Sequence, residues 1–252
     1  MICVISPAKT LDYKRAIPSL VATTPRFEEQ ASELAAKAAG LSKAKLREIM
    51  HISEGLAALN VERFRNFADQ PARPAIYAFA GDVYAGFEVH SLDEDAVLFA
   101  QDHVRILSGL YGLLRPLDEI RPYRLEMGTR WAPGRAKDLY AYWGGRIATM
   151  LAADAEPAGE RTIINLASKE YWTAAEKHLP KDIPVIEIDF REEGPKGLRF
   201  NSFAAKRARG MMARYICEHR ITDPDGLKAF DSDGYAFQPA DSDERRWRFT
   251  RR

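Results

Sequence analysis

The sequence predicts an α/β protein (mixed α+β) of one domain: a central mixed sheet flanked by helices, with a helix-hairpin-helix element at about residues 94–125. Three observations carry that expectation. Short β-branched runs alternate with longer stretches whose apolar residues recur every three or four positions, so strands and helices take turns along the chain. The 252 residues are 46% apolar, enough to bury one large core. No internal repeat or low-complexity linker divides residues 1–252, and the Pro/Gly-rich break from Glu156 to Gly159 is too short to mark a boundary.

Each element has its own signal. Ile2 to Ile5 is a continuous β-branched run closed by Ser6-Pro7, a strand buried on both faces. Ser6 to Asp12 is a polar turn at its end. From Arg26 to Phe67 the pattern is helical: Phe27, Ala31, Leu34 and Ala38 share a face, Gly40 is a stop, and shorter helices follow around Lys45 and Leu56. Pro74 to Phe79 predicts a second strand, ending in Ala80-Gly81-Asp82. Ala96, Ala100, Val104 and Leu107 predict a helix that stops at Ser108-Gly109, before a stretch rich in Gly, Arg and Pro that runs to Arg130. Leu139 to Leu151 predicts a helix interrupted by Gly144 and Gly145. Thr162 to Leu166 and Val185 to Phe190 predict strands, separated by a helix beginning near Ser168. Arg199 to Phe203 leads into a basic helix ending near His219, and an aromatic strand around Trp247 follows.

Cys3 and Cys217 each lie in an apolar run, which predicts buried thiols in a reducing cytoplasm. Two cysteines are too few for a disulfide scaffold or a Cys-rich zinc site. The amino-terminal apolar run is too short for a signal peptide, and no window approaches the roughly 20 apolar residues of a membrane span. A cytoplasmic protein without membrane contact is expected. Lys and Arg number 37 against 36 Asp and Glu, a formal charge of +1, so a polyanionic partner requires the cations to be segregated onto one surface.

Three segments set cations beside turns or helix starts. In Ser6-Pro-Ala-Lys9-Thr-Leu-Asp12, Ser6 and Lys9 have the Ser-x-x-Lys spacing of some acyl-transfer enzymes. No matching downstream motif accompanies it, and a lysine aimed at an anion from a sheet-edge loop is the competing reading. Arg105 to Arg130 holds arginines at 105, 115, 121, 124 and 130 around a Gly109–Gly112 hairpin. Glycines there let backbone N–H groups approach a phosphate, as helix-hairpin-helix modules do on a duplex backbone. An ordinary helix cap with solvated arginines accounts for them equally well. Lys196 to Arg220 carries seven basic residues and one acid, Glu218, and five arginines stand among the last eight residues. These read as a local positive surface or as solvated faces. Lys169 follows Ser168 at a strand-to-helix junction, where a helix amino terminus attracts anions.

Other chemistries lack their residues. Gly81 to Gly86 has phosphate-loop spacing, but Phe87-Glu88 stands where Lys and Ser/Thr are needed. Histidines 51, 90, 103, 178 and 219 show no metal-ligand spacing, and Asp231-x-Asp233-Gly lacks the remaining ligands of a calcium loop. Neither a metal nor a cofactor is expected.

Five blocks, SPAKTLD at 6–12, LSGLYGLLRPLD at 107–118, PYRLEMGTRW at 122–131, NLASKEYW at 165–172 and FAAKRARGMMARY at 203–215, together resemble the YaaA family of bacterial peroxide-stress proteins. The resemblance implies a cytoplasmic protein induced under hydrogen peroxide, which limits damage by keeping unincorporated iron low. It also implies a single-domain α/β fold that binds double-stranded DNA through a positive cleft and a helix-hairpin-helix. Carried over, the hairpin is Gly109 to Gly112, one residue longer than the usual Gly-x-Gly. The cleft draws on Lys9, Arg115, Arg124, Lys169, Lys206, Arg207 and Arg209, chosen for charge inside the matching blocks. A monomer without an obligate protein partner is expected, contacting phosphates with little sequence preference; about six contacts give a log–log salt slope of roughly −5. No catalytic residue is assigned. The alternative is an enzyme acting on a small phosphorylated or nucleotide ligand in a basic cleft, with Lys9 and Lys169 on the phosphate and Asp12, Asp82 or Glu170 as acid or base. Direct iron binding requires His103 or His178 to meet two acidic side chains.

Overall fold

The computed structural model describes residues 1–156, 161–195 and 197–252. Positions 157–159 of the Pro/Gly-rich break and Lys196 of the basic segment lie outside the described residues. The chain opens with β1 (Ile2–Ile5), β2 (Thr10–Leu11), α1 (Glu28–Ala39), α2 (Lys43–Met50) and α3 (Glu54–Arg65). A tight passage follows: β3 (Arg73–Pro74), α4 (Ala75–Ala78), β4 (Phe79–Ala80) and α5 (Asp82–Phe87). Next come α6 (Glu94–His103), β5 (Val104–Ser108), β6 (Gly112–Leu114), β7 (Glu119–Ile120), α7 (Leu139–Trp143), α8 (Arg146–Ala155), β8 (Ile163–Asn165) and α9 (Lys169–Glu176). The remainder holds β9 (Val185–Gly194), β10 (Gly197–Arg199), α10 (Ser202–Glu218), β11 (Ala236–Phe237) and β12 (Arg246–Arg251). Among the described residues no helix is long and apolar enough to cross a membrane.

Eight strands make one mixed sheet in the order β11-β12-β9-β8-β1-β5-β6, with β10 paired to β9. The five middle strands, β12 through β5, are parallel, while β6, β10 and β11 join antiparallel. Residues 2 to 5 are at most 1% exposed, as a β-branched run at the centre of a parallel sheet requires. Further from the centre, β9 alternates: Ile186, Ile188 and Phe190 are buried, and Glu187, Asp189 and Arg191 are half-exposed. One group of helices, α5, α6 and α10, packs together against the sheet, and α7, α8 and α9 form a second group. Cys3 in β1 and Cys217 in α10 are both free and buried, and burial raises both thiol pKa values. They are therefore protonated and inert at neutral pH.

The helix expected over Ala96 to Leu107 ends at His103, and residues 104–108 are strand β5. Val104 and Ile106 are β-branched and lie beside Cys3 and Ile5 in parallel register. A strand buried on both faces shows no alternation, so its apolar residues continued the helical period by coincidence. The run from Pro74 to Phe79 is mostly one turn of helix, α4, between two short bridging strands. Periodicity does not separate a short buried strand from a short buried helix. The span expected to hold a helix-hairpin-helix, about residues 94–125, contains one helix followed by the antiparallel hairpin β5–β6.

Candidate nucleic-acid interface

The site is organised by the carboxyl ends of β1 and β8. The chain leaves β1 toward β5 on one side and leaves β8 toward β9 on the other, so a crevice opens between their loops. Ser6, the first residue after β1, holds that crevice together. Its Oγ accepts the Ser168 backbone N–H at 2.8 Å and lies 3.3 Å from the Ser168 hydroxyl, and its carbonyl accepts from the Tyr84 hydroxyl at 3.2 Å. Burial raises the pKa of Tyr84 and of Tyr171 well above that of an exposed phenol. Both hydroxyls therefore stay protonated, and that of Tyr84 donates to Ser6.

Lys9 follows on the same loop with its side chain 65% exposed, and its Nζ is 3.3 Å from Glu126 Oε1. That oxygen also accepts from Arg124 Nε at 3.1 Å and Nη2 at 3.0 Å. Lys9 is thus committed to Glu126 rather than to Ser6, and the Ser-x-x-Lys spacing makes no nucleophile–base pair. Glu126 Oε2 is buried without a hydrogen-bond partner. On the adjoining strand of chain, the Gly128 N–H donates to Glu170 Oε1 at 2.9 Å.

The third segment arrives through α5 and α10. A Cβ on Gly81 would lie 3.1 Å from the Ala8 Cβ, so the Lys9 loop and the start of α5 are in contact. Asp82, next in sequence, has Oδ2 4.0 Å from Lys206 Nζ on α10. Arg207 is exposed and has no ion pair among the described residues. Lys169 opens α9 directly beside the Ser6–Ser168 contact, 74% exposed, with Nζ 2.7 Å from Glu176. The segments that carry Lys9, Arg124, Lys169, Lys206 and Arg207, four separate stretches of chain, therefore meet around one end of the parallel strands, with the Lys169 ammonium turned along α9 toward Glu176.

The remaining expected residues do other work. Gly109 and Gly112 form the buried turn of the β5–β6 hairpin. The Gly109 carbonyl accepts from Trp143 Nε1 at 3.0 Å, and the Tyr111 N–H donates to Ser108 Oγ at 2.9 Å. A Cβ at Gly109 would come within 2.2 Å of the Leu125 carbonyl oxygen. Gly112, at φ +67°, packs on the Trp143 ring, a left-handed position that glycine tolerates best. The turn faces inward and supports the strand of chain that carries Arg124 and Glu126. Arg115 grips the fully buried Asp118, with Nη2 at 2.9 Å and Nε at 3.1 Å from Oδ1. Burial lowers the Arg209 pKa, and the charges of Asp189 and Glu187 on β9 oppose that shift.

Four of the five carboxyl-terminal arginines are also neutralised. In the register of β12 against β9, Arg246 meets Glu187 at 3.2 Å, Arg248 meets Asp189 at 3.1 Å and Arg251 meets Glu192 at 2.5 Å, while Arg252 lies 3.5 Å from Glu193. They lace β12 to β9 rather than add to a positive surface. Sequence reasoning missed Glu126, Tyr84 and the pairing of Ser6 with Ser168. The available signal was positional: Glu126 lies two residues from Arg124, Ser6 directly follows the buried β1, and Ser168 is the residue before α9, three past the end of β8. Among the described residues, no group of three His, Cys, Asp or Glu side chains is arranged to hold a metal. His103 bonds the Met1 carbonyl through Nδ1 at 3.0 Å.

The family described as "Peroxide stress protein YaaA" matches residues 1–241. A UPF0246 protein of Rhizorhabdus wittichii is 62% identical over 251 residues, covering 100% of this chain and 99% of that protein. UPF0246 proteins of Cereibacter sphaeroides and Polynucleobacter asymbioticus are 50% and 48% identical, covering 97% and 96% of this chain and 97% and 95% of their own lengths. The chain belongs to the YaaA family of peroxide stress proteins.

Proposed function

We propose that this chain serves the peroxide-stress response by binding double-stranded DNA through its phosphates, on the face that carries Lys9, Lys169, Lys206 and Arg207. The observation that carries this reading is their convergence. All four are exposed and come from three remote segments that border the crevice at the ends of β1 and β8. Lys9, itself exposed, reaches the mostly buried Glu126; Lys169 and Lys206 hold carboxylates in solvent-facing ion pairs. Such pairs are worth about 0–1 kcal/mol each, so they exchange readily for phosphate. Cations seated on the backbone displace condensed counterions, ferrous ions included. Peroxide then meets less iron at the duplex, which is the proposed route to limiting iron-driven damage.

Four phosphate contacts give a log–log salt slope of about −3.6. Fluorescence anisotropy with a labelled duplex between about 50 and 300 mM salt, a range over which that slope changes binding by nearly three decades, measures it. Lys206→Glu/Arg207→Glu should weaken binding at least tenfold at low salt and reduce the slope by about 2. An unchanged affinity would remove the reading. In parallel, the wild type should slow nicking of plasmid by ferrous iron and peroxide, and the double variant should not.

One observation favours a second reading, a compact site for a small phosphorylated or nucleotide ligand. Glu126 leaves one oxygen buried and unpartnered beneath two cations, so a ligand N–H or O–H finds an acceptor there. Under that reading, nucleoside monophosphates raise the Tm saturably and Glu126→Gln abolishes the rise. Under the duplex reading, monophosphates leave the Tm unchanged.

A further inference from the structure

We infer that the groove between α1 and the end of α3 binds a small organic monocarboxylate, its carboxylate on Arg121 and Arg65 and its apolar body along the helices. None of the residues on the proposed DNA face lines this groove, so the inference stands or falls apart from that reading. Ala35, Ala36 and Ala39 of α1, with Phe64 and Phe67, wall a hollow of about 490 Å³, within the range of small-ligand sites. The alanines create it, since larger side chains there would fill the space against the two rings. Gln70 Nε2 donates to the carbonyls of Arg63 at 2.7 Å and Pro122 at 3.3 Å. It fastens the end of α3 to the segment that carries Arg121, and so fixes Phe67 and Arg121 on one wall.

Charge identifies the ligand. Arg105, Arg115 and Arg124 each grip a carboxylate; Arg121, from the same run of arginines, does not. Its backbone N–H donates to the Tyr111 hydroxyl at 3.0 Å. Its guanidinium makes no hydrogen bond or ion pair among the described residues, and Nε is buried without a partner. Cζ lies 6.0 Å from the Phe67 centroid. A guanidinium laid against a ring keeps its N–H edge free for a planar, bidentate acceptor, which a carboxylate supplies. Arg65 on the rim is exposed and also makes no ion pair among the described residues. Glu28 is the one acid among the described residues of the lining. Two guanidiniums against one carboxylate leave a single positive charge, which a monoanion neutralises. Glu28 repels a second negative charge, so a phosphate monoester, largely a dianion at neutral pH, is disfavoured.

The test titrates the full chain with sodium octanoate by calorimetry. Wild type should bind it saturably at one site, and octan-1-ol and octyl phosphate at least about tenfold more weakly. Arg121→Met keeps an unbranched stem on Phe67 and should weaken octanoate binding about tenfold or more. It removes a donor that the free chain leaves unpaired, so the ligand-free Tm should equal or exceed that of wild type. Ala36→Phe fills the groove from an exposed position of α1 without touching a charge, and should abolish binding. Glu28→Gln should bring octyl phosphate to within about threefold of octanoate. If Arg121→Met lowers the ligand-free Tm, Ala36→Phe and Glu28→Gln decide. Octan-1-ol binding as tightly as octanoate, octanoate binding that survives Ala36→Phe, or no saturable binding at all would overturn the inference. If sedimentation shows a dimer of the free wild type that Ala36→Phe dissociates, the groove is a self-association surface and the inference falls.

Discussion

Gly210→Ala is expected to destabilise the protein by about 3 kcal/mol or more, one of the two largest effects of a single substitution here. A Cβ at Gly210 would stand 1.8 Å from the Val83 carbonyl oxygen and 2.8 Å from the Phe87 nitrogen; one at Gly86 would stand 2.1 Å from the Arg207 carbonyl oxygen. The two glycines are reciprocal, each seated on the other helix's backbone, and backbone cannot rotate aside as a side chain can. Helices α5 and α10 would have to part by on the order of an ångström to reach normal contact. At about 2–4 °C per kcal/mol for a chain of this size, the Tm should fall by roughly 6–12 °C. The same separation moves Lys206 and Arg207 away from Asp82 and the Lys9 loop, so under the proposed function duplex affinity measured well below the Tm should fall as well. Gly55→Ala is the control. It lies on the exposed side of α3 with nothing within 4 Å of the added carbon, and should stabilise by about 0.5–1 kcal/mol. Equal losses in the two variants would show that the close helix contact contributes nothing.

That contact also marks where the sequence stops being legible. Residues 2 to 5, the face of α1 with Ala31, Leu34 and Ala38, and the helix from Ser202 were readable because local pattern and tertiary environment ask for the same residues. Strand β5 was not readable, because its partner β1 is a hundred residues earlier in the chain and only pairing distinguishes it from the end of α6. Charge was misleading for the same reason. The arginines at 246, 248 and 251 look like a basic tail until β12 is laid in register on β9, when each meets an acid. Near-equal counts of cations and acids imply that most are paired, but they do not name the pairs. Likewise, Lys9 with Glu126, and Lys206 with Asp82, become neighbours only through the sheet and the α5–α10 contact. The glycine turn at 109–112 carried a readable signal whose meaning was structural: it lets the Leu125–Glu126 backbone pass over it.

Asp154→Ala should cost about 3–5 kcal/mol, because it strands a buried guanidinium. Arg105 lies in β5 with its side chain only 7% exposed, and its Nε reaches Asp154 Oδ2 at 2.5 Å. Its Nη1 donates to the carbonyls of Gln101 at 3.0 Å and Val104 at 2.8 Å. The same carboxylate accepts both Arg26 Nη groups, at 2.6 and 2.8 Å, so one acid ties β5, α8 and the entry to α1. Burial alone would raise the pKa of that carboxyl; the hydrogen bonds and charges of Arg26 and Arg105 outweigh it and hold the pKa below the ordinary 3.8. A folded-state pKa that is lowered contributes stability above the unfolded value and loses it as pH falls through the folded one. The gap between wild type and Asp154→Ala in urea unfolding should therefore be constant from pH 7 to about pH 5 and shrink below that. Arg105→Met/Asp154→Leu, which removes the buried charge along with its partner, should recover much of the loss, since a packed apolar pair replaces a buried ion pair at little or no cost. If the double variant is as unstable as Asp154→Ala, geometry rather than unpaired charge sets the penalty.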